Sequence, residues 1–450
     1  MLRRVGIAEQ VCMAAPSSRR RALWRLAIAA LLIVAFVLAG ISACARARGG
    51  PNWAAFTVPG PRALTVSHAP WEEKHKGGVD LSTGIYTRED DDLVLNTPMP
   101  LVLHRAYNSG DGVARQFGRD WTHAGEWWLY GDGSPSVPWA DLILETGGRI
   151  HFMRVSPGTD LRDAVLRHDS TPTAFNGALL GFNGSTWEMR FGDGSIAVFL
   201  DCPRRTQVCA LIERRDADGH RIAYVRDASG TLLRMETEGG GIAFAYDDRK
   251  RIVRAFDSSG REVRYRYDDL GRIVRAAWSD GTVREYAYDE HDRLVGVREP
   301  GRIITNWFDE SGRWVRQVVK NSQADQNPYI ATARYIAENG RIVESQFDEG
   351  DGLLVNRYNE HHYIVSETID ADGPAPIVFA FDLDASNRPT AATLSCQGPQ
   401  GPITRSVPVT SVRDDTAKAL LIREHCRRPG LRGDRDGVPA GLRAWLRQIL

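Results

Sequence analysis

Four aspartates recur along the chain at almost constant spacing. Asp247, Asp268 and Asp289 lie 21 residues apart, Asp309 follows after 20, and each stands directly after an aromatic residue: Tyr246, Tyr267, Tyr288 and Phe308. Carboxylates are the raw material of general acid–base chemistry and of hard-cation binding. Glycoside hydrolysis needs two of them held about 5–10 Å apart across a cleft. The periodic aspartates fall in successive turns instead, where turn formation already accounts for them. "EDDD" (Glu89 to Asp92) reads as a solvated strand edge. His361 and His362 are adjacent, so a strand would point them to opposite faces, and they read as exposed turn residues. His123 follows Trp121 and reads as packed against the tryptophans; His104 and Arg105 sit on a predicted strand. The sequence contains no Gly-x-Ser-x-Gly elbow, phosphate loop or zinc-protease helix. These residues point to no catalytic group, no metal site and no cofactor.

The elements that carry the aspartates are hairpins. "YDDRKRIV", "YDDLGRIV" and "YDEHDRLV" begin at Tyr246, Tyr267 and Tyr288. Looser copies are "RDADGHRI" (Arg215) and "RDASGTLL" (Arg226) upstream, and "YIAENGRIV" (Tyr335), "YNEHHYIV" (Tyr358) and "FDLDASNRP" (Phe381) downstream. A period near twenty residues predicts one supersecondary unit per copy. In "DDLGR", Asp268 can accept a hydrogen bond from its own turn and Gly271 tolerates positive φ, which predicts a type I turn followed by a left-handed residue. A second turn follows about ten residues later, at Gly260 and again at Gly281. Between turns the residues alternate: Val263, Tyr265 and Tyr267 share one face, Arg264 and Arg266 the other. Ile242, Phe244 and Tyr246 repeat the device. The aromatic face is expected to fill the interior of a curved sheet. Lys250 stands where the turn needs glycine, so that turn is expected to be altered or strained; Asp292, in the same slot, tolerates it.

Composition agrees with an all-β protein of two or three domains: 43 glycines and 12 tryptophans in 450 residues. Lys plus Arg equals Asp plus Glu at 57 each, which gives no global footprint for nucleic acid.

Six arginines precede Leu26–Ala43, eighteen residues without a charge. As a helix this stretch would span roughly 27 Å, enough to cross a bilayer. The basic flank predicts a cytoplasmic N-terminus and an exported body. A cleaved secretory signal, an uncleaved single-pass anchor and a lipoprotein signal all remain open, and either Met1 or Met13 can be the start. Four further cysteines, Cys202, Cys209, Cys396 and Cys426, suggest two disulfides in an exported body. Four cysteines allow three pairings. The short loop makes Cys202–Cys209 the first choice and leaves Cys396–Cys426. A zinc site is the rival reading, but the spacing is none of the usual ones.

"ISAC" (Ile41 to Cys44) resembles the bacterial lipobox, which implies acylation at Cys44. The YD units resemble the YD repeats of bacterial Rhs and wall-associated proteins and of animal teneurins, over roughly Asp193 to Thr390. Upstream, Gly77 to Ser109 and Phe117 to Leu129 resemble the domain of unknown function that precedes the repeats in Rhs proteins. The resemblance implies a β-shell, which in that family often closes around a toxic C-terminal domain released by self-cleavage. Here the repeat region is short, no Asp-Pro-x-Gly-Leu segment follows Thr390, and the last fifty residues are few for such a toxin.

The expected organisation is a basic and hydrophobic helical segment (1–44), a linker (45–62), an Rhs-type β domain (63–190), a YD-repeat region (191–395) forming a curved, partly open sheet or shell, and a tail (396–450). Irregular chain is expected from Pro399, with helices near Thr416–His425 and Ala440–Gln448. The expected function is non-enzymatic: a membrane-anchored scaffold or binding module of the bacterial envelope, with a protein or glycan ligand and no nucleic acid. The alternative is a component of an Rhs-type toxin system, a truncated shell or a toxin-holding partner. An enzyme acting on cell-wall glycans is a third.

Overall fold

The computed structural model of the chain describes residues 78–426, except 132–133, 146, 170–173, 202–208, 351, 386 and 413–414. The apolar stretch, Cys44, the linker, Cys202 and the helix expected near 440–448 lie outside the described residues. Among those described, no helix is long and apolar enough to cross a membrane.

Nearly all the regular structure of the described chain is strand. A four-stranded antiparallel sheet is built first, from β1 (Val79–Asp80), β2 (Ile85–Leu95), β3 (Leu101–Asn108) and β6 (Trp121–His123), in that order. A small ribbon of β4 (Ala114–Arg115) and β5 (Gly118–Arg119) interrupts it.

The second sheet begins at β7 (Trp128–Gly131), well before the repeats. It continues through β8 (Trp139–Ile143), β9 (Arg149–Arg154), β10 (Val165–Arg167), β11 (Leu179–Phe182), β12 (Thr186–Arg190), β13 (Ile196–Leu200) and β14 (Cys209–Arg215). Each pairs antiparallel with the next. The first half of β14 then pairs back onto β7, Cys209 opposite Leu129 and Ala210 opposite Trp128, which closes an eight-stranded ring. The second half of the same strand, Glu213–Arg215, pairs with β15 (Arg221–Arg226). From there one strand follows another to β30 (Pro389–Gly398) and β31 (Gly401–Val407). The irregular chain expected from Pro399 is therefore corrected: Gly398 and Gly401 face each other across a hairpin and the sheet gains another strand. Pro402 lies near the start of β31, where a missing N–H can be tolerated.

The repeat turns share one geometry. In the turn at Asp268 the Gly271 N–H donates to the Asp268 carbonyl (3.0 Å), the Asp268 N–H donates to the Arg272 carbonyl (3.0 Å), and Gly271 has φ +83°. The ladder slips by one residue beside Tyr267, the bulge that this turn produces. At Lys250 the same bonds form (3.0 and 2.9 Å), with Lys250 forced to φ +62°. The turn is kept and the lysine carries the strain. Asp292 and His362 adopt φ +66° in the same slot.

Alternation sorts the faces. Val263 and Tyr265 are buried while Arg264 and Arg266 are exposed. One apolar core runs continuously from Val79 to Phe347 and joins the four-stranded sheet to the inner face of the large one. A second core lies between the last strands and helix α1 (Asp415–His425), around Phe379, Leu394 and Ile422.

Candidate functional site: a filled inner face and an outer groove

The repeat signature is a clamp between neighbouring hairpins. In each turn the aspartate accepts from the backbone N–H and from the Nε of the arginine four residues on. The Nε distances are 2.8 Å for Asp247–Arg251 and 2.7 Å for Asp268–Arg272, Asp289–Arg293 and Asp309–Arg313. That arginine then covers the aromatic of the next repeat: Arg251 on Tyr267 at 4.4 Å, Arg272 on Tyr288 at 5.0 Å, Arg293 on Phe308 at 5.1 Å. The tyrosine hydroxyl reaches back as well. Tyr267 donates to the Ile252 carbonyl (2.6 Å) and Tyr288 to that of Ile273 (2.8 Å). Aspartate, arginine and tyrosine thus act as one unit, and the aspartates are occupied by their own turns. The arginine is the member that sequence reasoning passed over, although it recurs at a constant offset.

The concave face is occupied by the chain's own first sheet. Arg105 on β3 is fully buried and donates from Nε to Asp92 (2.8 Å) and from one Nη to the Tyr286 hydroxyl (2.7 Å). Tyr265 donates to Asp92 (2.7 Å) and Tyr286 to Asp90 (2.9 Å), and the Arg105 guanidinium lies 4.2 Å from the Trp121 ring. Burial works to raise the Asp90 carboxyl, but Arg105, Arg88 and Arg284 outweigh it and hold the group below its ordinary range. Trp121 donates to the Tyr288 hydroxyl (2.9 Å), and the Leu294 N–H to that of Tyr107 (2.9 Å). The solvated edge expected of "EDDD" is corrected here. The period of two turns Asp90 and Asp92 inward onto Arg105, while Asp91 faces outward and meets His104 at 2.7 Å.

His123 is also fully buried, but against Phe117 (5.6 Å) and Phe244 (6.2 Å) rather than against tryptophan. Burial first, then the Arg226 charge, lowers its pKa to about 3, so the ring is neutral. Its Nδ1 accepts from the Gly125 N–H (3.1 Å), and Nε2 donates to the Gln116 side chain (3.0 Å). His361 is exposed in its turn; His362 is half-buried and meets the Ser82 carbonyl at 3.2 Å.

At the far end Cys396 is bonded to Cys426, and Lys418 of α1 is buried against Glu367 at 2.8 Å. Cys209 is disulfide-bonded. Asp216, Asp218 and His220 bring ligand atoms within 4.8 Å of one another. This is a repeat turn with histidine in the clamp position, His220 Nδ1 lying 3.0 Å from Asp216, and the turn's own bonds explain the cluster.

On the outer face a groove of about 510 Å³ crosses the hairpins from Arg221 to Ser258. Its lining includes the small residues Ala223, Gly241 and Ala243 beside Arg221, Arg234, Glu236 and Phe256. One period later, the positions of Gly241 and Ala243 are held by Glu262 and Arg264, so the hollow belongs to this repeat.

Comparison with known proteins bears on the whole arrangement. Residues 76–152 match the family described as Domain of unknown function (DUF6531), and residues 204–389 match the Teneurin YD-shell family. No curated protein matches. Among solved structures, the TcdB2-TccC3-Cdc42 complex is similar at 11% identity and a TM-score of 0.26, over 59% of this chain and 19% of that one. TcdB2-TccC3 without its hypervariable C-terminal region is similar at 11% identity and a TM-score of 0.30, over 70% and 21%. The chain thus spans about a fifth of the length of the structures it matches. The DUF6531 region followed by the YD-shell region, with its clamped hairpins, makes this chain a member of the Rhs/YD-repeat family.

Proposed function

We propose that this Rhs-type shell protein is a non-enzymatic scaffold or binding module, held at the bacterial envelope by its N-terminal segment with the body outside the cytoplasm. The observation that carries the reading is the filling of the concave face: the Arg105–Asp92–Tyr265–Tyr286 network places the first sheet where a passenger would otherwise sit. A shell filled by its own chain offers its outer face to partners. The groove at Phe256 is where a protein or glycan ligand is expected, since an aromatic side chain beside arginine and glutamate suits rings that carry hydroxyl or charged groups.

Two experiments test this. Fatty-acid labelling and membrane fractionation beside Cys44→Ala test the anchor: label lost with the cysteine makes it a lipoprotein, and membrane association without label or cleavage makes Leu26–Ala43 the anchor. A body recovered only in the cytoplasm defeats the localisation. Binding to purified envelope fractions beside Phe256→Ala and Arg234→Ala tests the module, and unchanged binding in both variants defeats the groove. Recovery of a toxin bound to the shell favours the toxin-system reading. Glycan cleavage abolished by one carboxylate change overturns the non-enzymatic assignment.

A further inference from the structure

We propose that the segment 110–126, which runs from the end of β3 through β4, β5 and β6 toward the large sheet, is a pH-sensitive latch whose buried carboxyl groups Asp120 and Glu126 release it when they ionise.

The segment is tied to the repeats by side chains, Trp121 on Tyr288 and Phe117 on Tyr265, and by backbone carbonyls. The Ile252 N–H donates to the Gln116 carbonyl (2.7 Å), the Arg119 N–H to that of Gly271 (3.4 Å), and Arg226 to that of Gly125. Gly118 packs so tightly that a Cβ there would lie 2.2 Å from the Gly271 carbonyl oxygen. Asp120 and Glu126 sit inside this contact, 5% and 3% exposed. Asp120 has φ +62° and accepts from the Gly112 N–H (2.6 Å). Glu126 lies 3.6 Å from the neutral His123, and its Oε2 has no hydrogen-bond partner among the described residues.

Several charges face these carboxyls. Asp111, Arg115, Arg119 and the Tyr107 and Tyr288 hydroxyls surround Asp120; Arg115, Asp111, Arg226, His123 and the Tyr246 hydroxyl surround Glu126. The arginines have closer partners: Arg115 pairs with Asp111, Arg226 donates to the Leu211 and Gly230 carbonyls at 3.2 and 3.1 Å, and Arg119, 3.9 Å from Asp120, lies nearer to Asp292 at 3.2 Å. Burial dominates at both carboxyls, reinforced at Asp120 by Asp111, and raises each to about 7.

The sign follows. A carboxyl whose pKa is higher in the closed state than in the open one favours closure at low pH, and that contribution fades as pH rises from the open-state value to the closed-state one. The latch is tightest below about pH 4, loosens progressively from there to about pH 7, and is flat above it.

Hydrogen–deuterium exchange on the full chain between pH 5.5 and 8.5 reads the opening directly. After correction for intrinsic rates, protection at 110–126 and at Ile252 should fall by more than about tenfold, while 302–320 stays constant. In the variant carrying Asp120→Asn and Glu126→Gln the loss should vanish. Asparagine tolerates the left-handed conformation at 120, so that replacement is compatible with the fold. If the double variant does not fold, each single variant should lose about half of the logarithmic change. A flat wild-type profile, or an undiminished slope in the variants, overturns the latch.

Discussion

The guanidinium of Arg272 lies over the ring of Tyr288 at 5.0 Å while its Nε holds the carboxylate of Asp268 at 2.7 Å, so one side chain closes its own turn and seats the next hairpin. Lysine cannot make the forked contact or stack flat. Arg272→Lys should cost about 1 kcal/mol and Arg272→Ala about 2 kcal/mol. Urea denaturation of both, in a cycle with Tyr288→Leu, checks the pairing: if the arginine costs are the same with and without the ring, the stacking contributes nothing.

Arg105 supports a heavier load. Asp90 keeps Arg88 and Arg284, but removing Arg105 leaves Asp92 buried without its cation, and Arg105→Ala should destabilise by about 3–5 kcal/mol. Replacing the whole network, with Arg105→Met, Asp92→Leu and Tyr265→Phe, should cost much less than the single change. Chemical denaturation distinguishes them. A mild single variant would mean that water reaches the site.

Lys250 offers a gain. A non-glycine residue in the left-handed region costs roughly 1–2 kcal/mol, and the turn already has the geometry that glycine prefers. Lys250→Gly should raise the thermal midpoint, with a net gain near 1 kcal/mol after the added freedom of the unfolded chain. A lowered midpoint would show that the lysine side chain contributes more than its backbone costs.

The turn aspartates govern the acid limb. At Asp247, Asp257 and Asp289 burial works to raise the carboxyl, but bonds from the turn arginine outweigh it, together with Ser259 at Asp257, and each group sits below its ordinary value. A depressed carboxyl contributes stability above its unfolded pKa and loses it as pH falls through the folded value. The melting temperature should therefore drop below about pH 4. In Asp247→Asn with Asp289→Asn that drop should be shallower, as scans from pH 2 to 5 would reveal. Asp120 and Glu126 act with the opposite sign above about pH 4, but equally in the wild type and the variant, so they cancel in the comparison.

Much of this was legible in one sequence because the repeat states its geometry several times over. The turn pattern at Asp268–Gly271 and the inward set Val263–Tyr265–Tyr267 needed only local rules. The first sheet was harder. Asp90, Asp92 and Arg105 look like a surface charge run until their partners, Tyr265 and Tyr286, arrive from strands more than 170 residues away, and no local rule supplies them. His123 was read as buried, but its phenylalanine neighbours come partly from the repeats, at Phe244. The strand at Gly401–Val407 was missed because "GPITRSV" alternates weakly and begins with turn residues.

The distances along the chain between the partners of the first sheet also set an order in time. Arg105 waits 181 residues for Tyr286, Arg88 waits 211 for Glu299, and the Ser82 carbonyl waits 280 for His362. The innermost piece is made first and finds its charge partners late. Translation lays down a mandrel before the hairpins that surround it. A nascent chain arrested before Tyr265 would hold Asp92 and Arg105 without either tyrosine, and would have no finished interior to protect them.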